Sequence, residues 1–105
     1  MMENEPSSDR KIFTYEDALA MARADEAGWQ DAQIWTLEDY LVRRTGEKLS
    51  GENRTKFDQR LRDIRDYTLE NLTVLGNEYN LLADFDLQTE SLMVYCRRNG
   101  MELSP

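Results

Sequence analysis

Eight residues, Phe57, Leu61, Ile64, Thr68, Leu72, Leu75, Tyr79 and Leu82, follow one another at steps of three and four. That is the spacing of one helix face, on which side chains realign about every 3.6 residues. Strands need alternation instead, and the chain has no alternating β-branched run and no Asn-Gly between two such runs. The pattern therefore predicts an all-α chain whose longest helix runs from Thr55 to Phe85. Gly76-Asn77 and Asn80 weaken its second half, because Gly inside a helix costs roughly 1 kcal/mol, so a bend or break is expected there.

Three more helices are expected around it. Thr14 is placed to cap the first, with Glu16 and Asp17 in the turn where the helix dipole favours negative charge. Ile12 and Phe13 are placed to staple its start, and it is expected to run to Ala27 and turn at Gly28. The second covers Gln30 to Arg44, with Ile34, Leu37 and Leu41 at helical spacing. Arg43, Arg44 and Gly46 read as its stop, cations in the last turn with Gly beyond. Glu47 to Arg54 then reads as a polar connection. The last helix begins near Leu87, with Asp86 as candidate cap, and stops at Arg97, Arg98, Asn99 and Gly100. The expected fold is a small compact helical domain of about four helices, two hairpins packed together, over Ile12–Pro105. Met1–Lys11 reads as a flexible tail. The run from Arg43 to Ser50 repeats in Arg97 to Ser104 with five identities in eight positions, explained either by duplication or by shared helix-end chemistry.

Composition excludes several chemistries. The 105 residues contain no His and one Cys. Without His there is no imidazole base and no Ser-His or Cys-His nucleophile. One Cys cannot build a disulfide framework or a thiolate zinc site. Glycines are isolated, so no phosphate-cradling loop is present. Asp25, Glu26 and Asp31 lack the spacing of a calcium loop. A carboxylate-only enzyme would need a concave site that short helices rarely enclose. No enzyme activity, cofactor or metal is expected. The N-terminal residues lack the basic and apolar regions of a signal peptide, and no apolar run approaches the roughly 20 residues of a membrane span. A cytoplasmic protein is expected, with Cys96 reduced as a small core residue.

Charge then points to the kind of partner. Twenty-one acids against 13 bases give a net charge of −8, which disfavours direct contact with nucleic acid or an anionic membrane. From Asp66 to Cys96 there are six acids and no Lys or Arg. On a continuous third helix, Asp63, Asp66, Glu70, Glu78 and Asp84 share about a third of the circumference. Such a row can imitate a run of phosphates. Tyr67, Val74, Leu81 and Phe85 project into the same arc, giving that helix a second apolar stripe. An acid-rimmed apolar patch suits protein binding, the apolar centre supplying affinity and the rim steering. Those nine residues are the expected partner-binding site of a non-catalytic, acidic protein-binding module. Its sharper form is a phage or mobile-element inhibitor that occupies a basic, nucleic-acid-binding surface of a host protein, as a nucleic-acid mimic of anti-CRISPR or anti-restriction type. The alternative is a helical homodimer or assembly subunit that closes on the second stripe. Of the two tryptophans, Trp35 is the better candidate for an exposed anchor.

Overall fold

A computed structural model of the chain describes residues 11–105. The expected tail lies outside them except for Lys11, which opens a strand. The elements are β1 (Lys11–Phe13), α1 (Tyr15–Ala24), α2 (Glu26–Lys48), α3 (Gly51–Asp63), α4 (Leu69–Glu78), α5 (Leu87–Arg98) and β2 (Met101–Leu103). The chain is mostly helical, as the periodicity requires. The described residues hold five helices, where about four were expected, and a small sheet that periodicity did not reveal. β1 and β2 pair in parallel, Lys11 with Met101 and Phe13 with Leu103. Three residues are too few to show an alternation, and their pairing joins opposite ends of the sequence.

The described residues gather into two compact units, one holding the chain up to Ala32 and from Gln88 onward, the other Gln33–Leu87. In the first, α1 and α5 share a core of Ala18, Ala22, Ala32, Leu92, Val94, Tyr95 and Cys96, closed by Phe13, Leu19, Trp29, Met101 and Leu103. First and last helices thus pack on each other, instead of each helix packing on its successor. Thr14 caps α1 as its sequence requires, its hydroxyl accepting the Asp17 N–H at 3.1 Å. The turn comes at Asp25, not Gly28. Asp25 Oδ1 accepts the Gly28 N–H at 3.2 Å, which caps the start of α2, and Oδ2 accepts the Tyr95 hydroxyl at 2.9 Å. Gly28 is needed inside α2 because a Cβ there would meet the Asp25 carboxyl carbon at 2.9 Å.

The second unit corrects the long third helix. Its two halves are α3 and α4, and they fold back on each other. On a continuous helix Phe57 and Tyr79 would stand roughly 33 Å apart at ~1.5 Å per residue. Their ring centroids are instead 5.2 Å apart, edge to face. The break falls at Ile64–Thr68, ahead of Gly76, and has a local cause. Thr68 is the cap of α4, not a stripe residue: its hydroxyl accepts the Asn71 N–H at 3.1 Å, and the Asn71 amide donates to the Asp66 carbonyl. Short polar side chains that bond nearby backbone compete with helix in this way. The stripe still does its work after the break. Phe57, Leu72, Leu75 and Leu81 are buried with Leu37 and Leu41 of α2, and Leu61, Ile64, Tyr79 and Leu82 pack around them.

Two glycines behave oppositely to their sequence reading. Gly46, read as a stop, lies inside α2, which continues to Lys48. Thr45 is buried there with its hydroxyl on the Leu41 carbonyl at 2.7 Å. Gly76, read as a weak point, is a close-approach site. A Cβ on it would lie 2.8 Å from Leu82 Cγ and 3.0 Å from Leu41 Cδ2. α4 ends just beyond it, where Asn80 adopts φ 56° and the Leu81 N–H returns to the Gly76 carbonyl at 2.9 Å. This is the left-handed stop that Asn tolerates better than other non-Gly residues.

Opposite outcomes follow for the two sites. Overpacking at Gly76→Ala costs about 1–3 kcal/mol against a helix-propensity gain of about 1 kcal/mol, so a net loss is expected. Nothing lies within 4 Å of a Cβ on Gly46, so Gly46→Ala is expected to gain up to about 1 kcal/mol. Urea unfolding checks both: the midpoints should move in opposite directions.

Candidate functional site

The broken helix disperses the expected row of carboxylates. Asp63 is the last residue of α3 and accepts the Gln59 side-chain amide at 2.9 Å. Glu78 ends α4, 2.7 Å from Arg60. Asp84 lies in the α4–α5 connection, 3.3 Å from Arg44. Three of the five thus have partners within the chain. Asp66, in the α3–α4 connection, and Glu70, in the first turn of α4, are exposed. Asp63 and Asp66 do come together, but in an open cleft of about 360 Å³ that Arg60, Arg65, Asn71 and Val74 also line. Its charge is mixed, unlike a run of phosphates.

The second apolar stripe divides as well. Leu81 is fully buried beside Leu37 and Leu41. Phe85 stacks on Tyr40 of α2, centroids 3.9 Å apart and planes at 22°. The cover over these two is α2, and only half the stripe is left to face a second copy. Tyr67 and Val74 stay outside, 38% and 50% exposed.

Two exposed apolar residues of the same unit lie outside that stripe. Trp35 and Val42 of α2 are 45% and 54% exposed. Four of the eight exposed large apolar residues among those described, Trp35, Val42, Tyr67 and Val74, belong to the second unit. Trp35, Glu38, Asp39 and Val42 stand at steps of three and four on the side of α2 away from buried Leu37 and Leu41, and together line a cleft of about 200 Å³. The Tyr67 hydroxyl donates to Glu38 Oε2 at 3.3 Å, which brings the α3–α4 connection up to this face of α2. Glu38 thus neighbours both rings, sharing the cleft with Trp35 and accepting the Tyr67 hydroxyl. The signal for Trp35 and Val42 was in the sequence: a seven-residue step on the face opposite Ile34, Leu37 and Leu41.

Three titratable groups are shifted by their surroundings. Burial, and then the Glu38 carboxylate, push the Tyr67 phenol above its usual 10.0. Burial and the hydrogen bond to Asp25 do the same to Tyr95. Burial raises the Cys96 thiol above 9.0, which keeps it un-ionised and poorly nucleophilic. Among the described residues no group of three or more His, Cys, Asp or Glu is placed to hold a metal ion, and no helix is long and apolar enough to cross a membrane. No known protein family, curated protein or solved structure matches the chain.

The two raised phenols fix the sign of an alkaline effect. A phenol whose pKa is higher folded than unfolded keeps its proton longer in the folded chain. The stability it confers is complete below the unfolded value and is lost as pH rises past it. Stability is therefore expected to fall above the ordinary tyrosine value of 10.0. Comparing Tyr67→Phe with wild type by denaturant titration on both sides of that pH checks it: the variant should show a shallower alkaline decline.

Proposed function

We propose that this chain is a non-catalytic protein-binding module that docks a basic surface of another protein through Trp35, Val42, Tyr67 and Val74. The observation that carries the reading is the pair of exposed rings, Trp35 sharing a cleft with Glu38 and Tyr67 hydrogen-bonded to it. Of the other rings, Phe57 and Tyr95 are buried in the cores, and Tyr79 and Phe85 are half-buried against one. Exposed Trp and Tyr are characteristic binding anchors, since each supplies a large apolar face with few rotamers to freeze. Glu38 and Asp39, which line the cleft beside Trp35, repel acidic and recruit basic partners. In its sharper form the module is an antagonist of the kind phages and mobile elements carry. It acts in the cytoplasm by covering a basic, nucleic-acid-handling surface, and needs neither cofactor nor membrane. The dispersal of the five carboxylates favours occlusion by an anchored patch over imitation of a phosphate row.

Capture on immobilised protein, with washes at low and high salt, tests the reading when three chains are compared. Wild type should retain a basic protein that Trp35→Ala,Tyr67→Ala loses, with affinity down roughly thirtyfold or more if both rings are anchors. Glu38→Lys,Asp39→Lys should slow association and remove its salt dependence. Equal retention by all three would sink the proposal.

A further inference from the structure

We infer that the groove between β2 and α5 receives an extended segment of another protein, one with an aliphatic and an acidic residue two positions apart. The inference lies within the first unit and does not rest on the Trp35 face. The groove holds about 250 Å³ and is lined by Met101, Glu102 and Leu103 of β2 and by Met93, Cys96 and Arg97 of α5. Side chains alternate across a strand. Met101 and Leu103 pack on the core, so Glu102 lies on the outer face with its partner in register, Ile12, which is 63% exposed. A cleft that touches residues of both faces runs along the strand's edge. No β1 residue lines it, so the edge is the one away from β1. There the backbone is open. The Ser104 N–H donates to the Phe13 carbonyl at 2.8 Å. With Phe13 opposite Leu103, that bond turns the Glu102 backbone toward β1 and the N–H and C=O of Met101 and Leu103 away from it. Such an edge is a template for a further strand.

The helical wall decides what that strand carries. Met93, Cys96 and Arg97 are three and four positions apart, on one face of α5. They set an exposed thioether, a buried thiol and an exposed guanidinium along the groove. The Arg97 guanidinium makes no ion pair or hydrogen bond among the described residues, whereas that of Arg98 holds Asp31 at 2.6 Å. Side chains two apart on an added strand point to the same face. The aliphatic one settles on Met93 and Cys96, and the carboxylate meets Arg97 in a charge-assisted pair. A second copy fits less well. Antiparallel pairing of β2 with its own copy sets Met101 and Leu103 on this face and turns Glu102 away, which leaves Arg97 unanswered.

The test titrates isotope-labelled full chain with an acetylated, amidated Thr-Val-Thr-Glu-Thr peptide at low salt, following the backbone amide resonances of Met101 and Leu103 by NMR. Both should move saturably. The Trp29 indole, packed edge-on against Tyr95 with centroids 6.4 Å apart, reports that the fold is intact. A Thr-Val-Thr-Lys-Thr peptide, and the acidic peptide on Arg97→Gln, should each bind about tenfold more weakly. Two N-methylated acidic peptides separate strand pairing from side-chain contact, one methylated at Val and Glu and the other at the flanking Thr residues. Only one set of N–H groups can face β2, so one peptide should lose binding and the other keep it. Equal binding of the acidic and lysine peptides, equal effects of the two methylation patterns, or amides that ignore the peptide overturn the inference. Met101 and Leu103 amides that move on diluting the chain alone also overturn it, in favour of a second copy.

Discussion

The second unit depends on the fold-back at Ile64–Thr68. Ile64 leaves α3 with ψ 114°, Thr68 enters α4 extended, and Asn71 ties the two together by giving its N–H to Thr68 and its amide to Asp66. These few hydrogen bonds convert a stripe some thirty residues long into two helices that can face each other. Phe57 then meets Tyr79, Arg60 meets Glu78, and Leu72 and Leu75 reach the α2 residues Leu37 and Leu41. A single straight helix with that stripe would leave half of it without a surface to bury against. The break thus follows from the demand for burial, and the polar residues at Thr68 and Asn71 determine where it occurs.

The same balance explains why some elements were legible in the sequence and others were not. α1 and the end of α5 are decided by adjacent residues: Thr14 with Asp17, and Asn99 with Gly100, whose φ of 68° is the left-handed stop. The repeated run shows the limit of such local signals. Arg97-Arg98-Asn99-Gly100 ends a helix, while Arg43-Arg44-Thr45-Gly46 does not. Thr45 and the neighbouring core hold α2 in register through Gly46, and about 1 kcal/mol of Gly propensity is too small to oppose that packing. Thr68 departs from the stripe for a related reason. It falls on the apolar spacing by position but acts by its hydroxyl, and periodicity counts positions without weighing chemistry. β1 and β2 escape detection because their pairing is decided by how the ends of the chain meet, which no local window contains.

The candidate surface was half legible. Tyr67 and Val74 stand outside as the second stripe suggested, and Trp35 is the exposed tryptophan. Leu81 and Phe85 do not stand outside, because their angular position was computed on a helix that ends at Glu78. Once α4 stops with Asn80 in the left-handed region, Leu81 turns back over Gly76 into the core and Phe85 reaches Tyr40. What replaced them, the Trp35–Val42 face of α2, is carried by a helix whose opposite side has the stronger apolar pattern. A strong core stripe draws attention away from a weak outer one.

Net charge is a poor guide to where such a protein acts. The 21 acids outnumber the bases by eight, yet the cations that exist are placed where they neutralise particular acids: Arg44 on Glu47 and Asp84, Arg60 on Glu78, Arg98 on Asp31. Each of these pairs includes a well-exposed partner and adds little stability. Their larger effect is on the shape of the surface potential: even on the Trp35 face Arg43 pairs with Asp39, while Asp66 shares its cleft with Arg60 and Arg65. With charges screened over about 8 Å at physiological salt, only acids next to an anchor can influence what settles on it. On the proposed docking reading, the acids that discriminate among partners are the two beside Trp35, Glu38 and Asp39.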